Sequence, residues 1–453
     1  MVGLGMIFDE TYRPFFEGAA ERGIFDPRFG VVRAPLAALA SRTGRRAQSY
    51  LEQRAELRRA QPEIDGPQAE AEQRGVGEPT AASDFDESDA ADAAPDHPPI
   101  ANFAEPDAVG RMLREAPLDF VCVAAPDDRH FEAARAVLSA GKHLLVEKPS
   151  VLSLAELDEL ESLARRHKVL AKVVYHKLLD PDHKKLRTLV ADGLLSHVNN
   201  GYCSLLEPKA ISGSQFAEWI HGRNPGTYVA VHYIKLIDFT FGGELASVAC
   251  SGQRGLVGPA DGPTWDSTQL RLVYRYTSGR EAAFDIHTSW VTPDNFPGYV
   301  EQEVQFRFDN GVWNGHSRKR GVECTIEGRT PFEIKTSMNN HYNGQFLEPW
   351  GERSQRGYGI EVLERFVREV AYVEHGGPER QREQRLAEMR RLDYNDLAAD
   401  RQTVAAVAAM EAILSRHAAG HPGAVVTVNH PRGGLVLWTP GQREEEVLYE
   451  PRV

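Results

Sequence analysis

Residues Asp119 to Ala125 read DFVCVAA, an acid followed by an unbroken apolar run. Such a strand has no solvated face, which restricts it to a parallel sheet covered on both sides by helices. The neighbouring sequence fits that restriction. Asp128 to Ala140 is patterned as a helix ended by Gly141, His143 to Val146 as a second buried strand, Leu154 to His167 as a helix, and Val169 to Tyr175 as a third strand. Nearer the start, Met1 to Leu4 reads as the tail of a strand, followed by a Gly turn and a helix to about Arg22. Pro35 to Ser41 then reads as a short strand and Gly44 to about Arg59 as a helix. Strands alternating with helices predict a doubly wound α/β sheet. From about residue 245 the pattern changes. Gln269 to Tyr276, Glu281 to Ser289, Glu301 to Phe308 and Thr325 to Ile334 are β-rich between Gly and Asn turns, and helices follow near 358 to 374 and 399 to 417. This half predicts an α+β domain built on a large, mostly antiparallel sheet.

A chain of 453 residues accommodates two such domains, taken as 1–150 and 151–440. Its formal charge of −13 argues against nonspecific binding to nucleic acid or to an anionic membrane. Residues 52 to 99 hold 13 acidic and 4 basic side chains, so they carry −9 of that total. Large apolar residues are nearly missing there, and such a stretch cannot bury enough surface to offset its ordering entropy. Residues 60–98 are therefore expected to be a flexible insertion, either a solvated linker or an acidic partner-binding element. No apolar run approaches the 18 residues of a spanning helix. Asp9 and Glu10 stand where a signal peptide has a basic start, and Cys122, Cys203, Cys250 and Cys324 show no paired spacing. These features point to a cytoplasmic protein without a structural zinc site.

The turn Gly3-Leu4-Gly5-Met6-Ile7-Phe8 matches the first two glycines of G-x-G-x-x-G/A, with Phe8 at the third small position. In a Rossmann-type domain the first glycine makes the turn and the second lets backbone approach a pyrophosphate at a helix start. Gly3, Gly5, Met6 and Ile7 are thus candidate dinucleotide contacts; an ordinary glycine turn is the alternative. At the end of the second strand an NAD-selective site wants an acid for the ribose hydroxyl, but Ser41 and Arg42 stand there. A hydroxyl and a guanidinium suit a 2′-phosphate, which favours NADP over NAD. A surface arginine at the start of a helix is the alternative.

Two further stretches carry more information. Phe120 to His130 reads FVCVAAPDDRH, and Ala140 to Pro149 reads AGKHLLVEKP. At this separation they resemble the glucose-fructose oxidoreductase / inositol dehydrogenase / MocA family. Its pattern is an apolar strand, T/A-P-N-x-x-H, a helix, and A-G-K-H-V-x-x-E-K-P. Asp127 replaces the usual Asn, and the likeness covers 1–50 and 100–245. The resemblance implies that Ala125, Pro126, His130 and Glu147 border the nucleotide and that Lys148 lies beside the nicotinamide and the substrate hydroxyl. It also implies a cis peptide at Lys148–Pro149. The chemistry agrees, because removing hydride from a carbinol carbon needs a group to take the hydroxyl proton, and a lysine of lowered pKa can take it.

The family's second signature, D-x-x-x-H with a later Asp, meets Tyr228, His232 and Lys235 here, so only the His is kept. At i, i+4 and i+7 the three are expected on one helix face. Tyr228 and His232 are candidate catalytic residues beside Lys148. His176, Lys177, Trp219, Arg223 and Lys235 are candidate substrate contacts, with His221 nearby. The cations among them suggest an oxygen-rich or anionic substrate, such as a sugar acid or phosphate, and no carboxylate pairs with a His at metal-ligand spacing. The resemblance implies an NAD(P)-dependent oxidoreductase for a small polyol, sugar, cyclitol or sugar acid, assembled as a homodimer or homotetramer. A redox-neutral relative that retains its nucleotide and a non-catalytic nucleotide-binding regulator are the competing readings.

Overall fold

The computed structural model describes residues 1–60, 99–215, 219–294, 296, 300–316, 339–351, 353–392, 394–429 and 433–451. Most of the expected insertion, the strand expected over Thr325 to Ile334, and Cys324 lie outside the described residues. The chain divides into two compact units, Pro35–Pro117 and a larger one made of Met1–Ala34 and Leu118–Val453.

In the smaller unit, strands Ala38–Ala40 and Ala101–Phe103 pair in parallel, Leu39 opposite Asn102. Helix Arg45–Ala60 follows the first strand, and helix Ala108–Glu115 follows the second. The strand expected over Pro35 to Ser41 is thus confined to its most apolar residues, which are at most 1 % exposed.

In the larger unit, Phe120–Val123, His143–Val146 and Ala171–Val173 form a parallel sheet. Val2 adds a single parallel bridge to Val123, its N–H donating to the Cys122 carbonyl at 2.8 Å. The strand tail expected at the N-terminus is therefore one residue of pairing. Leu144, Leu145 and Val146 are wholly buried, as an all-apolar central strand requires. Helix Leu154–Arg166 starts where Ser153 Oγ accepts from the Glu156 N–H at 3.3 Å, while Glu156 reaches back to the Leu152 N–H.

The same unit carries a nine-stranded sheet. Its order is Val312–His316, Glu301–Phe308, Val198–Pro208, Glu281–Thr292, Ser267–Arg275, Glu244–Gln253, Val425–Asn429, Gly434–Trp438 and Glu446–Tyr449. Val198–Pro208 and Glu281–Thr292 run in parallel, and the other pairs are antiparallel. In Ser267–Arg275 the side chains of Thr268, Leu270, Leu272 and Tyr274 are buried, with more exposed neighbours between them, so one face carries the core. Helices Tyr358–His375 and Arg401–Ala418 match the expected ones.

The boundary expected at residue 150 differs from the division by contacts. The parallel strands are tied to the C-terminal region: Val173 N–H donates to the Asn395 carbonyl at 2.8 Å, and Lys172 Nζ to Asp396 Oδ2 at 2.6 Å.

Candidate active site

The strand His143–Val146 delivers Glu147, Lys148 and Pro149 to one end of the parallel sheet. The Glu147 N–H continues the pairing to the Val123 carbonyl at 2.8 Å, and its buried carboxylate accepts from the Tyr12 hydroxyl at 2.9 Å. The Lys148–Pro149 peptide is cis, as the resemblance implied. Lys148 Nζ donates to the Tyr228 carbonyl at 2.8 Å and lies 4.0 Å from the centroid of the Tyr228 ring. Burial lowers its pKa below the ordinary lysine value, while Glu147, Glu207 and Asp127 oppose the shift. His130 is a brace: its two ring nitrogens lie 2.7 Å from the Pro149 carbonyl and 2.8 Å from that of Ala125. It ties the Ala125-Pro126 turn to the segment bearing Lys148.

His176 and His232 meet with ring centroids 4.6 Å apart, and His176 also packs on Tyr342 and Tyr358, at 5.0 and 6.2 Å. Burial drives both histidines well below the usual imidazole range, and Lys148 and Lys177 push the same way. Both are therefore neutral near pH 7. His232 Nδ1 is buried without a hydrogen-bond partner among the described residues, so this imidazole keeps capacity for a ligand. Lys177 is buried, donates to Gln302 Oε1 and stands 5.4 Å from the Tyr233 ring.

The glycine turn tests whether a dinucleotide fits. Gly3 has φ +84°, and a Cβ there would stand 2.4 Å from the Ala124 carbonyl oxygen. Only glycine allows that approach. At Gly5 a Cβ would meet nothing within 4 Å, so backbone at this helix start opens onto free space. Both features are what a pyrophosphate cradle needs. Phe8, at the third small position, is 1 % exposed, and the backbone Phe8–Tyr12 takes the wider π turn. A ring thus fills core where the pattern asks for a small residue. In the smaller unit, Ser41 Oγ accepts from the Gly44 N–H at 3.1 Å, and Arg42 is exposed.

Residues 58–175 match the family model described as an oxidoreductase family with an NAD-binding Rossmann fold, of the glucose-fructose oxidoreductase, inositol dehydrogenase and MocA group. That span is similar to the NAD-binding Rossmann module of this oxidoreductase family. The chain is 32 % identical over 103 residues to the uncharacterized oxidoreductase YdgJ of Escherichia coli, which is 23 % of this chain and 29 % of that protein. It is 30 % identical over 88 residues to the scyllo-inositol 2-dehydrogenase (NADP(+)) IolW of Bacillus subtilis, 19 % of this chain and 25 % of that one. The chain thus spans less than a third of either relative. The fold agrees over nearly the whole length with scyllo-inositol dehydrogenase from Lactobacillus casei with bound NAD(H) and scyllo-inositol. The TM-score is 0.53 at 13 % identity, with 92 % of this chain and 96 % of that chain covered.

Against the family pattern, several side chains find partners that sequence spacing did not suggest. Tyr228 lies in a π turn, Gly226–Ala230, and His232 in the α-helix Val231–Phe241 that follows, so the expected single helix face is broken between them. Trp219 stands 5.1 Å from the Tyr228 ring. Lys235 is 1 % exposed, donates to the Ala399 carbonyl and pairs with Asp238 at 3.6 Å. Arg223 pairs with Asp127 at 3.3 Å and Asp128 at 2.6 Å, which gives the Asn-to-Asp departure at 127 a structural reason. Carboxylates of the protein already match both cations, which weakens the expectation of an acidic substrate. Glu207, unremarked in the sequence, ends the strand Val198–Pro208 and accepts from Trp290 Nε1 at 2.8 Å. Its one signal was a lone acid closing the apolar run Leu205-Leu206 before Pro208. Among the described residues no helix is long and apolar enough to cross a membrane, and no group of three or more His, Cys, Asp or Glu could hold a metal ion.

Proposed function

We propose that the protein is an NAD(P)-dependent dehydrogenase acting on a carbinol group of a sugar, cyclitol or sugar-acid-like substrate, with Lys148 and His232 assisting proton transfer. The observation that carries this reading is Lys148. Its amine is desolvated, held by the Tyr228 carbonyl and set on the Tyr228 ring. A lysine of lowered pKa exists partly as the free amine, the form able to accept a hydroxyl proton. When bound, the oxidised nicotinamide supplies a hydride acceptor. Gly3, Gly5, Met6, Ile7, Ala125, Pro126, His130 and Glu147 would hold the nucleotide, and the residue types of Ser41 and Arg42 favour NADP as its identity. Neutral His232 is suited to bind the reacting oxygen or share its proton, with His176 backing its ring. Tyr228, Trp219 and Lys177 would line the polyol. A homodimer or homotetramer in the cytoplasm, with a nucleotide-binding domain over 1–150 and a substrate domain over 151–440, completes the proposal.

A panel of sugars, inositols and sugar acids with each oxidised nucleotide, followed by absorbance of the reduced form, tests it. Stoichiometric reduction on one polyol is expected. Turnover of a substrate while a tightly held nucleotide never accumulates reduced would show a redox-neutral enzyme. Nucleotide binding without turnover on any member would point to a regulator.

A further inference from the structure

Three segments that carry proposed site residues converge on one turn, Ala398–Asp400, at the start of the helix Arg401–Ala418. Asp400 is wholly buried, and its two carboxyl oxygens serve two different segments. Oδ2 accepts from Ser150 Oγ at 2.5 Å, and Oδ1 accepts from the Tyr175 hydroxyl at 2.7 Å. Ser150 lies two residues beyond Lys148, and Tyr175 immediately precedes His176. Both donors are buried as well, so water does not stand in for either bond. His130 holds the Pro149 carbonyl at 2.7 Å, so the segment after Lys148 is pinned at two successive residues. The third contact comes from the helix of His232, where Lys235 donates to the carbonyl of Ala399, beside Asp400. Gln402 closes the same joint, its Nε2 donating to Asp238 Oδ1 at 2.6 Å and to the Gly243 carbonyl at 3.1 Å. Position 235, where the family pattern has its later Asp, thus holds a lysine with a use of its own.

We propose that Asp400 is a positioning residue of the active site, which fixes the places of Lys148 and His176 by bonding Ser150 and Tyr175. The neighbouring Ala399 carbonyl, through Lys235, ties the helix of His232 to the same turn. The proposal rests on the dehydrogenase reading above. Burial makes the joint stiff. An Asp400 oxygen that lost its donor would be left unpaired, and a Ser150 or Tyr175 hydroxyl that moved away would leave its own proton unmatched. A displacement of about 1 Å at reacting groups costs about 10²-fold in rate, so a residue acting only through its neighbours can still set turnover.

The test uses the full chain. In Asp400→Ala, kcat on the substrate found by the panel should fall by about 10²-fold while KM stays within about threefold, the mark of groups that still bind but are misplaced. Asp400→Asn presents an atom to each hydroxyl and should recover most of that loss. Ser150→Ala cuts one arm of the joint, so adding it to Asp400→Ala should lower kcat no further. A second readout needs neither substrate nor nucleotide. Competitive acetylation read by peptide mass spectrometry gives the pKa of Lys148, which burial holds below the ordinary lysine value. In Asp400→Ala and in Ser150→Ala that pKa should rise by about half a unit or more as the amine leaves its buried seat. Should Asp400→Ala fail to fold, Ser150→Ala and Tyr175→Phe, each lacking a single oxygen, carry the comparison. A merely structural Asp400 would lower the melting temperature and leave both kcat and the Lys148 pKa as in wild type, and that result would overturn the proposal. If the chain oxidises no member of the panel, the Lys148 pKa alone decides between these outcomes, whereas an active dehydrogenase with both readouts unmoved removes Asp400 alone.

Discussion

Lys148 combines a hydrogen bond, a ring contact and three neighbouring carboxylates in one half-buried side chain. Lys148→Met retains its length and apolar stem but removes the amine. Turnover on the substrate identified by the panel should fall by about 10²–10⁴, the usual worth of a positioned acid or base. Nucleotide affinity by titration calorimetry should stay within about threefold. His232 and Tyr228 should separate in the same assay. His232→Ala removes a neutral imidazole with an unpartnered nitrogen and should lower kcat/KM by about 10²-fold or more. Tyr228→Phe leaves both the ring and the carbonyl that hold Lys148, so a loss of about 1 kcal/mol is expected. Equal effects of the two substitutions would argue against a proton role for His232. The proposed role of Arg42 in nucleotide choice is tested by Arg42→Ala, which should weaken NADP by about 1–3 kcal/mol and leave NAD nearly unchanged in calorimetry.

At the scale of elements, the start of Leu154–Arg166 is a local device that places the segment after Pro149. Ser153 caps the Glu156 N–H, and the Glu156 side chain satisfies Leu152. Ser153→Ala should cost about 1 kcal/mol in denaturant melts without altering nucleotide affinity. The π turns Phe8–Tyr12 and Gly226–Ala230 show where local pattern fails. Each inserts a residue relative to α-helical phase, so the i, i+4, i+7 reading of Tyr228, His232 and Lys235 does not survive the turn. Nothing in the side-chain sequence of Gly226 to Ala230 signals that insertion. It is held instead by tertiary partners, with the Asn224 side chain and Thr227 both donating to Glu411 of the helix Arg401–Ala418.

At the scale of the molecule, burying the Glu207 carboxyl has a pH signature. Its pKa rises from the ordinary 4.5 to about 7, so the native state retains a proton that the unfolded chain has already released across that interval. Stability contributed at this site is therefore present at low pH and lost as pH rises through about 7. Glu207→Gln removes the titration. Its stability relative to wild type should rise between about pH 5 and pH 8 by roughly 2–3 kcal/mol, measured by denaturant melts at each pH. A constant difference across that range would show that Glu207 is ionised throughout.

What the sequence determined by itself was whatever follows from short-range pattern. The apolar runs at Phe120–Val123 and His143–Val146 could only be central parallel strands, alternation marked Ser267–Arg275 as half-buried, and E-K-P put Lys148 at a strand end. Hydrophobic period and strand-end motifs are written in neighbouring residues, so they are legible locally. Tertiary structure alone decided which charges meet. Lys235 finds the Ala399 carbonyl across 164 positions, Arg223 is taken by Asp127 and Asp128, and Glu207 reaches Trp290 across 83 positions. A buried charge must be matched, and the match comes from whichever segments the fold brings within a few ångströms, a distance that sequence separation does not encode.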